Sequence, residues 1–455
     1  MIRTIIWITS TILILTANIV SAQQEPMVFN TLEETIDYAV EHNNNLQNAR
    51  IDQEIIQAQI NEVKGGALPQ ITGNSGFSDN FSLQEQQLPG EIFGGEPGTT
   101  IGVAFGNRYQ YTAGVSVQQE LLNFKLFNSI KSTAALSELR KLQTLLTTQD
   151  LIVNVIQTYV QIQVFEKQME LLKQNFDRTD NLIKLSELKL KEGIIKKLDL
   201  NQLLVNRSNI KTQIEDAEFA RNQQKRIFKV LLNIPMDKNV ILKENLEDRS
   251  PYPIGTELLL DENLEYQQID QTLQLSVIDQ KLIKAEYLPN LKASFGYNYL
   301  GQSNEFASFE SDVYQGQWSG TWGLSLNIPI FDGFQRHNKL KQKEFATEQL
   351  ELDRKTLQLN IEKEFGDSRE QLILSNSQIQ SQETNMALAQ ENYAGINTSY
   401  NEGVADLSEL LDAEFALRQA QSNYLNALLQ AKVAEVTLLK ASGQLSQLIS
   451  NPNQD

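Results

Sequence analysis

The sequence predicts an α+β membrane protein in which one unit is used twice, with short strands that cross a bilayer and helices too long for a globule. Three observations predict it. First, the chain repeats: Ala67-Leu68-Pro69-Gln70-Ile71 is answered by Tyr287-Leu288-Pro289-Asn290-Leu291, Gly114-Val115-Ser116-Val117 by Gly323-Leu324-Ser325-Leu326, and Lys191-Glu192-Gly193-Ile194 by Asn401-Glu402-Gly403-Val404. The offset is 220 residues at the first pair and 209 to 210 at the others, as when each half contributes the same supersecondary unit to a symmetric object. Second, four segments alternate apolar and polar residues with a period of two. Third, no glycine or proline interrupts residues 124–192, a span worth roughly 100 Å of helix.

In chain order, residues 1–22 carry Arg3 as their only charge, followed by an Ile/Leu/Thr-rich stretch and Val20-Ser21-Ala22. This reads as a secretory signal cleaved before Gln23; a single membrane anchor is the alternative, disfavoured because the apolar stretch is short and interrupted by Thr and Asn. Residues 23–232 form the first repeat: a helix, two strands at 70–82 and 107–119, and long helices. Residues 233–260, with Pro235, Pro251 and Pro253, link it to the second repeat at 261–443, whose strands are expected at 291–301 and 316–329. A polar tail, 444–455, closes the chain.

The clearest strand sets Tyr109, Tyr111, Ala113, Val115 and Val117 against Gln110, Thr112, Gly114, Ser116 and Gln118. Its counterpart sets Trp322, Leu324, Leu326 and Ile328 against Thr321, Gly323, Ser325 and Asn327. Leu291, Ala293, Phe295, Tyr297 and Tyr299 make a third apolar face, with 71–81 a weaker copy. A soluble sheet with one wet face alternates in the same way. Here the polar face is small and uncharged, and Tyr and Trp gather near strand ends, as in an outer-membrane barrel. Four strands cannot close a barrel, and an open sheet in lipid leaves unpaired backbone groups costing several kcal/mol each. Oligomerisation is therefore required, and three copies would supply twelve strands. The segments 82–107 and 301–316 are long and polar, as exposed loops tend to be.

The helices carry coiled-coil seams. Ile152, Val155, Tyr159, Ile162, Met169, Leu172 and Phe176 recur at three- and four-residue spacing. Near the C-terminus Leu410, Leu417, Tyr424, Ala431 and Leu438 lie seven apart, each followed three residues on by Ala413, Ala420, Ala427, Ala434 or Ala441. An all-alanine second seam predicts a neighbouring helix at unusually close approach. The first-half counterpart keeps Leu200, Leu203, Ile210, Ile214, Ala217, Phe228 and Leu231, but Arg207, Arg221 and Gln224 interrupt it.

Composition excludes several function classes. A formal charge of −18 opposes binding to nucleic acid or anionic surfaces and favours cations in any lumen. There is no cysteine, so disulfides, thiolate metal sites and a cysteine nucleophile are absent. His42 and His337 are the only histidines, too few for a metal cluster or a catalytic triad. No cofactor and no catalytic site is expected.

Secretory signal, duplication, four strands and such helices together resemble the TolC-like outer-membrane efflux protein family over nearly the whole mature chain. Leu68-Pro69 and Leu288-Pro289, Ile328-Pro329-Ile330-Phe331-Asp332-Gly333, and Glu402-Gly403-Val404 with Leu410-Leu411-Asp412-Ala413 carry the likeness; Glu120-Leu121-Leu122-Asn123-Phe124 departs from it. The resemblance implies a homotrimer: a twelve-stranded barrel in outer-membrane lipid, four strands per chain, continued by a helical coiled-coil tunnel through the periplasm. It would act as a passive exit duct for a periplasmic adaptor and an inner-membrane transporter, in efflux or type I secretion. It also implies an acidic ring at the periplasmic aperture on Glu409 and Asp412, an aperture latch on Asp199 and Tyr400, and tip turns at Gly193 and Gly403. Ala405 stands where the pattern carries an arginine, so the latch lacks its cation; Lys196 and Lys197 lie nearby. A solvated helix face is the bland reading of Glu409 and Asp412. Gly193 and Gly403 also have a local reason, since tight turns between antiparallel helices favour positive φ. The alternative for the whole chain is a non-conducting periplasmic coiled-coil scaffold, which leaves the strands without a purpose.

Overall fold

In this computed structural model residues 26–245, 257–306 and 314–445 are described. The expected signal at 1–22, the middle of the linker and most of the tail lie outside the described residues. In chain order the elements are β1 (Met27–Phe29), α1 (Leu32–His42), α2 (Asn44–Gly65), β2 (Gln70–Asp79), β3 (Glu85–Pro89), β4 (Thr100–Ala104), β5 (Tyr109–Leu122), α3 (Phe124–Lys191) and α4 (Lys197–Leu231). They continue as β6 (Val240–Leu242), α5 (Leu264–Ala285), β7 (Asn290–Ser303), β8 (Gln315–Asn327), α6 (Gln335–Asn401) and α7 (Leu407–Ala441).

Element lengths recur between the halves: α2 and α5 have 22 residues each, α3 and α6 have 68 and 67, and α4 and α7 have 35 each. The helix starts obey the same logic. Asn43 Oδ1 accepts from Leu46 N at 3.1 Å, while Asn263 Oδ1 accepts from Glu265 N at 3.0 Å and Tyr266 N at 3.1 Å. Each asparagine satisfies amides that the first helical turn leaves unpaired. Asn43 also ends α1, so the single helix expected before β2 is two helices, and its Nδ2 donates to Leu231 O at 2.8 Å.

The chain divides into two compact units. One comprises residues up to 51, 142–268 and from 354 onward. Its principal core packs Phe29, Leu32, Ile36 and Leu46 against Ile152, Val155, Ile156, Tyr159 and Ile162 of α3, Phe228 of α4, and Leu425, Leu428, Val436 and Leu439 of α7. The parallel pair β1 and β6 joins Met27 to Val240 and Phe29 to Leu242, tying part of the linker to the chain's start. The alanine seam of α7 is buried at all five positions, as its spacing predicts. Where arginines break the seam of α4, charge pairs take over: Arg207 meets Asp180 at 3.1 Å and Arg221 meets Glu218 at 3.4 Å.

The other unit, residues 52–141 and 269–353, holds a four-stranded antiparallel sheet in the order β2-β5-β7-β8. Register puts Ile71, Val117, Phe295 and Trp322 in one row, and Thr72, Ser116, Gly296 and Thr321 in the next. The face of the first row is mainly apolar on β5, β7 and β8, while β2 brings Gly73, Ser75 and Asp79 to it beside Ile71 and Phe77. The other is small and polar, with Thr72 Oγ1 and Ser116 Oγ hydrogen-bonded at 2.7 Å. Strand β5 runs to Leu122, beyond the expected 119, with a bulge between Glu120 and Leu122. The segment expected to be a polar loop, 82–107, contains the hairpin β3–β4 and exposes Ile92, Phe93 and Ile101. Its alternation is too short, and its turn too rich in glycine, to stand out from a loop in the sequence.

Candidate functional site

The helix tips are built by two matching turns. After α3, Gly193 has φ +72°, its N–H bonds Leu190 O at 3.0 Å, and Ile194 N bonds Lys189 O at 2.9 Å. After α6, Gly403 has φ +77°, its N–H bonds Tyr400 O at 3.1 Å, and Val404 N bonds Ser399 O at 2.9 Å. These are paired Schellman closures, in which a left-handed residue lets the last carbonyls find donors. Ile194 and Val404 are both exposed beyond the turns.

The next helices begin with a shared device. Asp406 caps α7 and accepts from Glu409 N at 2.8 Å, while Glu409 Oε2 accepts from Asp406 N at 3.2 Å. This is a complete capping box. Asp199 sits at the equivalent place in α4 and accepts from Lys196 N at 3.0 Å. Glu409 and Asp199, which sequence reasoning gave different roles, thus do the same local work. Asp412, exposed one turn on, lines a groove of about 770 Å³ between α4 and α7 with Leu198, Val205, Phe415 and Arg418. Glu409 and Asp412 keep the i, i+3 relation of one helix face.

Tyr400 is buried with Ile183, Leu203, Leu407 and Leu410, and Ala405 packs at the edge of this cluster. The Lys189 ammonium lies 4.9 Å from the Tyr400 ring centroid. Asp199 is engaged at its own helix start, and Tyr400 in the apolar cluster.

A polar network missed in the sequence ties the helices together a little farther along. Glu414, only 3% exposed, accepts from Thr179 Oγ1 of α3 at 3.0 Å and from Asn206 Nδ2 of α4 at 3.1 Å. Arg418 Nη2 donates to Asn206 Oδ1 at 3.1 Å, and Arg178, bonded to Asn175, lies over the Tyr393 ring of α6. Burial pushes the Arg418 guanidinium down and the Tyr393 phenol up. Nearby, Asp180 is held below the usual carboxylate range by Lys184 and then Arg207. The only sequence signal for Glu414 was its place beside Ala413 in an otherwise apolar seam.

The described residues contain no cluster of His, Cys, Asp and Glu able to hold a metal, and no helix long and apolar enough to cross a membrane. The chemistry available is that of surfaces: a mainly apolar sheet face, a polar one with Glu120 and Lys292 at one end, and acidic helix starts.

Comparison with known proteins gives a consistent result. A family model described as "Outer membrane efflux protein" matches residues 35–231 and 257–444. The "Probable outer membrane lipoprotein SilC" of Salmonella typhimurium is 23% identical over 422 residues, spanning 90% of this chain and 84% of that protein. The outer membrane protein TolC of Vibrio cholerae is 20% identical over 426 residues, spanning 91% of each. Among solved structures, the Campylobacter jejuni CmeC outer membrane channel matches with a TM-score of 0.74 at 15% identity, covering 91% of this chain and 85% of that one.

Proposed function

The chain belongs to the outer membrane efflux protein family, and on that premise we propose that three copies assemble into a closed exit duct. Membership makes it a non-enzymatic efflux channel of the outer membrane that extends into the periplasm. The finer reading is a homotrimer in which each chain lends β2, β5, β7 and β8 to a twelve-stranded barrel, and its helices, two copies of one duplicated unit, to a periplasmic tunnel. One observation carries it: an open four-stranded sheet with one mainly apolar face and two free edges, on β2 and β8. In lipid those edges must find partners, and three such sheets reach a size that closes around a channel. The small polar residues of the opposite face, Ser116, Gly296 and Thr321 among them, suit a water-filled interior.

At the aperture we assign an acidic ring to Glu409 and Asp412, six carboxylates in three copies, which would favour cations. Gly193 and Gly403 are the tip turns, and Asp199 and Tyr400 the elements of the latch, with no arginine at Ala405. Substrates would arrive from an inner-membrane transporter through a periplasmic adaptor, so the duct itself supplies no energy. The relatives include a protein named for alkaline protease secretion in Pseudomonas aeruginosa, 23% identical over 339 residues, while the family is named for efflux, and the reading covers both export routes. Full-length protein reconstituted into planar bilayers should give stable, cation-selective conductance. A protein that inserts without conducting would return the chain to the scaffold reading.

A further inference from the structure

Between α3, α4 and α7 lies a cavity of about 430 Å³ that the channel reading leaves unused. Its size is that of a small-molecule site. Leu171, Leu172, Leu425 and Phe415 give it apolar walls, and the exposed Gln213 and Asp216 mark the side open to solvent. Arg418 and Gln421, one turn apart on α7, also line it, and each carries a polar atom that the fold does not satisfy. Arg418 Nη1 and Gln421 Oε1 are both buried, and neither has a hydrogen-bond partner among the described residues. Such atoms are few in folded chains, and each one left unpaired lowers stability. Here a donor and an acceptor stand on the same wall.

The charge balance behind that wall is uneven. Glu414, the carboxylate of the buried network, accepts from the neutral donors Thr179 Oγ1 and Asn206 Nδ2. Arg418 and Arg178 donate to the carbonyl oxygens of Asn206 and Asn175, and among the described residues neither forms an ion pair. Two guanidinium groups therefore share one carboxylate. Burial pushes the Arg418 guanidinium down, Glu414 pushes it up, and the charge of Arg178 lowers it again. Since one arm of its fork has no partner, Arg418 can turn toward an acid group in the cavity without giving up a bond on that side, and a charge-assisted hydrogen bond rewards the move. We propose that the cavity takes an amphipathic organic anion, its acid group drawn to Arg418 and its apolar body packed on Leu171, Leu172, Leu425 and Phe415. Gln421 offers such a ligand an acceptor for a hydroxyl or N–H, and Asp216 at the open side repels a second acid group. Three helices of one chain build the walls, so the inference stands apart from closure of the barrel.

The test is calorimetric titration of the full-length protein in a nonionic detergent, with empty micelles as the blank. The probes are 2-naphthoate and its uncharged analogue 2-naphthamide. We expect saturable binding of naphthoate at one site per chain and affinity for the amide lower by about tenfold or more, the difference a hydrogen bond to a charged group makes. Arg418→Gln should bring naphthoate down to the level of the amide. Ala220→Leu, which narrows the cavity from a wall outside the Arg418 network, should weaken both ligands, and it carries the test if Arg418→Gln melts before the wild type can be matched. No saturable binding to the wild type would mean that water or another copy of the chain meets Arg418 and Gln421. Equal affinity for the two probes would mean partition into an apolar crevice, and naphthoate binding unchanged in the variants would place it elsewhere. Each of these three results overturns the proposal and leaves the channel reading untouched.

Discussion

Glu409 illustrates how one side chain can be claimed by two explanations. Its carboxylate closes a capping box with Asp406, a local role that any helix start can use, and it is also our candidate for the aperture ring. Glutamine separates the two, since it can still accept from the Asp406 amide but carries no charge. We predict that Glu409→Gln lowers cation selectivity in bilayer conductance with no change in thermal stability. Glu409→Ala should lower both selectivity and stability, the latter by about 0.3–1.5 kcal/mol for the lost capping contact. Unchanged selectivity in Glu409→Gln would leave only the cap. The tip glycines were legible in the sequence as Glu192-Gly193 and Glu402-Gly403, whereas the capping box, spelled Asp406-x-x-Glu409, was not read there. The Glu414 network was not legible, because its partners Thr179 and Asn206 lie 235 and 208 residues away, and only the packing of α3, α4 and α7 brings them together.

At the level of elements, periodicity predicted strands and helices where packing pressure is one-sided and failed where it is weak. The helix expected from residue 124 to 192 is found as Phe124–Lys191, because nothing in between can break it. The hairpin β3–β4 and the parallel pair β1–β6 were missed, the latter because three-residue strands depend on a partner more than 200 residues away. The sheet's two faces make opposite demands. Val115→Arg puts a charge on the apolar face and should cost about 2–4 kcal/mol at the bilayer midplane, abolishing recovery from outer-membrane fractions. Ser116→Arg, one residue away on the polar face, should be tolerated there. Equal recovery of the two variants would argue against a lipid-facing sheet.

The turn after β8, Ile328 to Phe334, is braced by Arg336 on Asp332 and by Lys125 on Glu286, and these pairs predict the sign of its pH response. Asp332 is held below its ordinary range by Arg336, and Glu286 by Lys125. Lowered carboxylates contribute stability that is fully present above the unfolded value, about pH 4, and lost as pH falls through the folded one. A nitroxide at Ile330→Cys should therefore be immobile from neutral pH to about pH 5 and gain mobility only below about pH 4. Mobility that rises between pH 7 and pH 5 would mean that the brace rests on other groups.

For the whole molecule, the oligomer we propose rests on the alternating strands, since four strands in lipid cannot satisfy their own edges. What the sequence left open was which faces meet, and one chain leaves β2 and β8 unpaired in the same way. The central claim is thus the threefold closure of this sheet. Single-particle imaging of the full-length protein, extracted in detergent from the outer-membrane fraction, tests it most directly. The account predicts hollow particles with threefold symmetry and twelve strands within the detergent belt. Particles of one or two chains, or solid rods recovered without detergent, would contradict it.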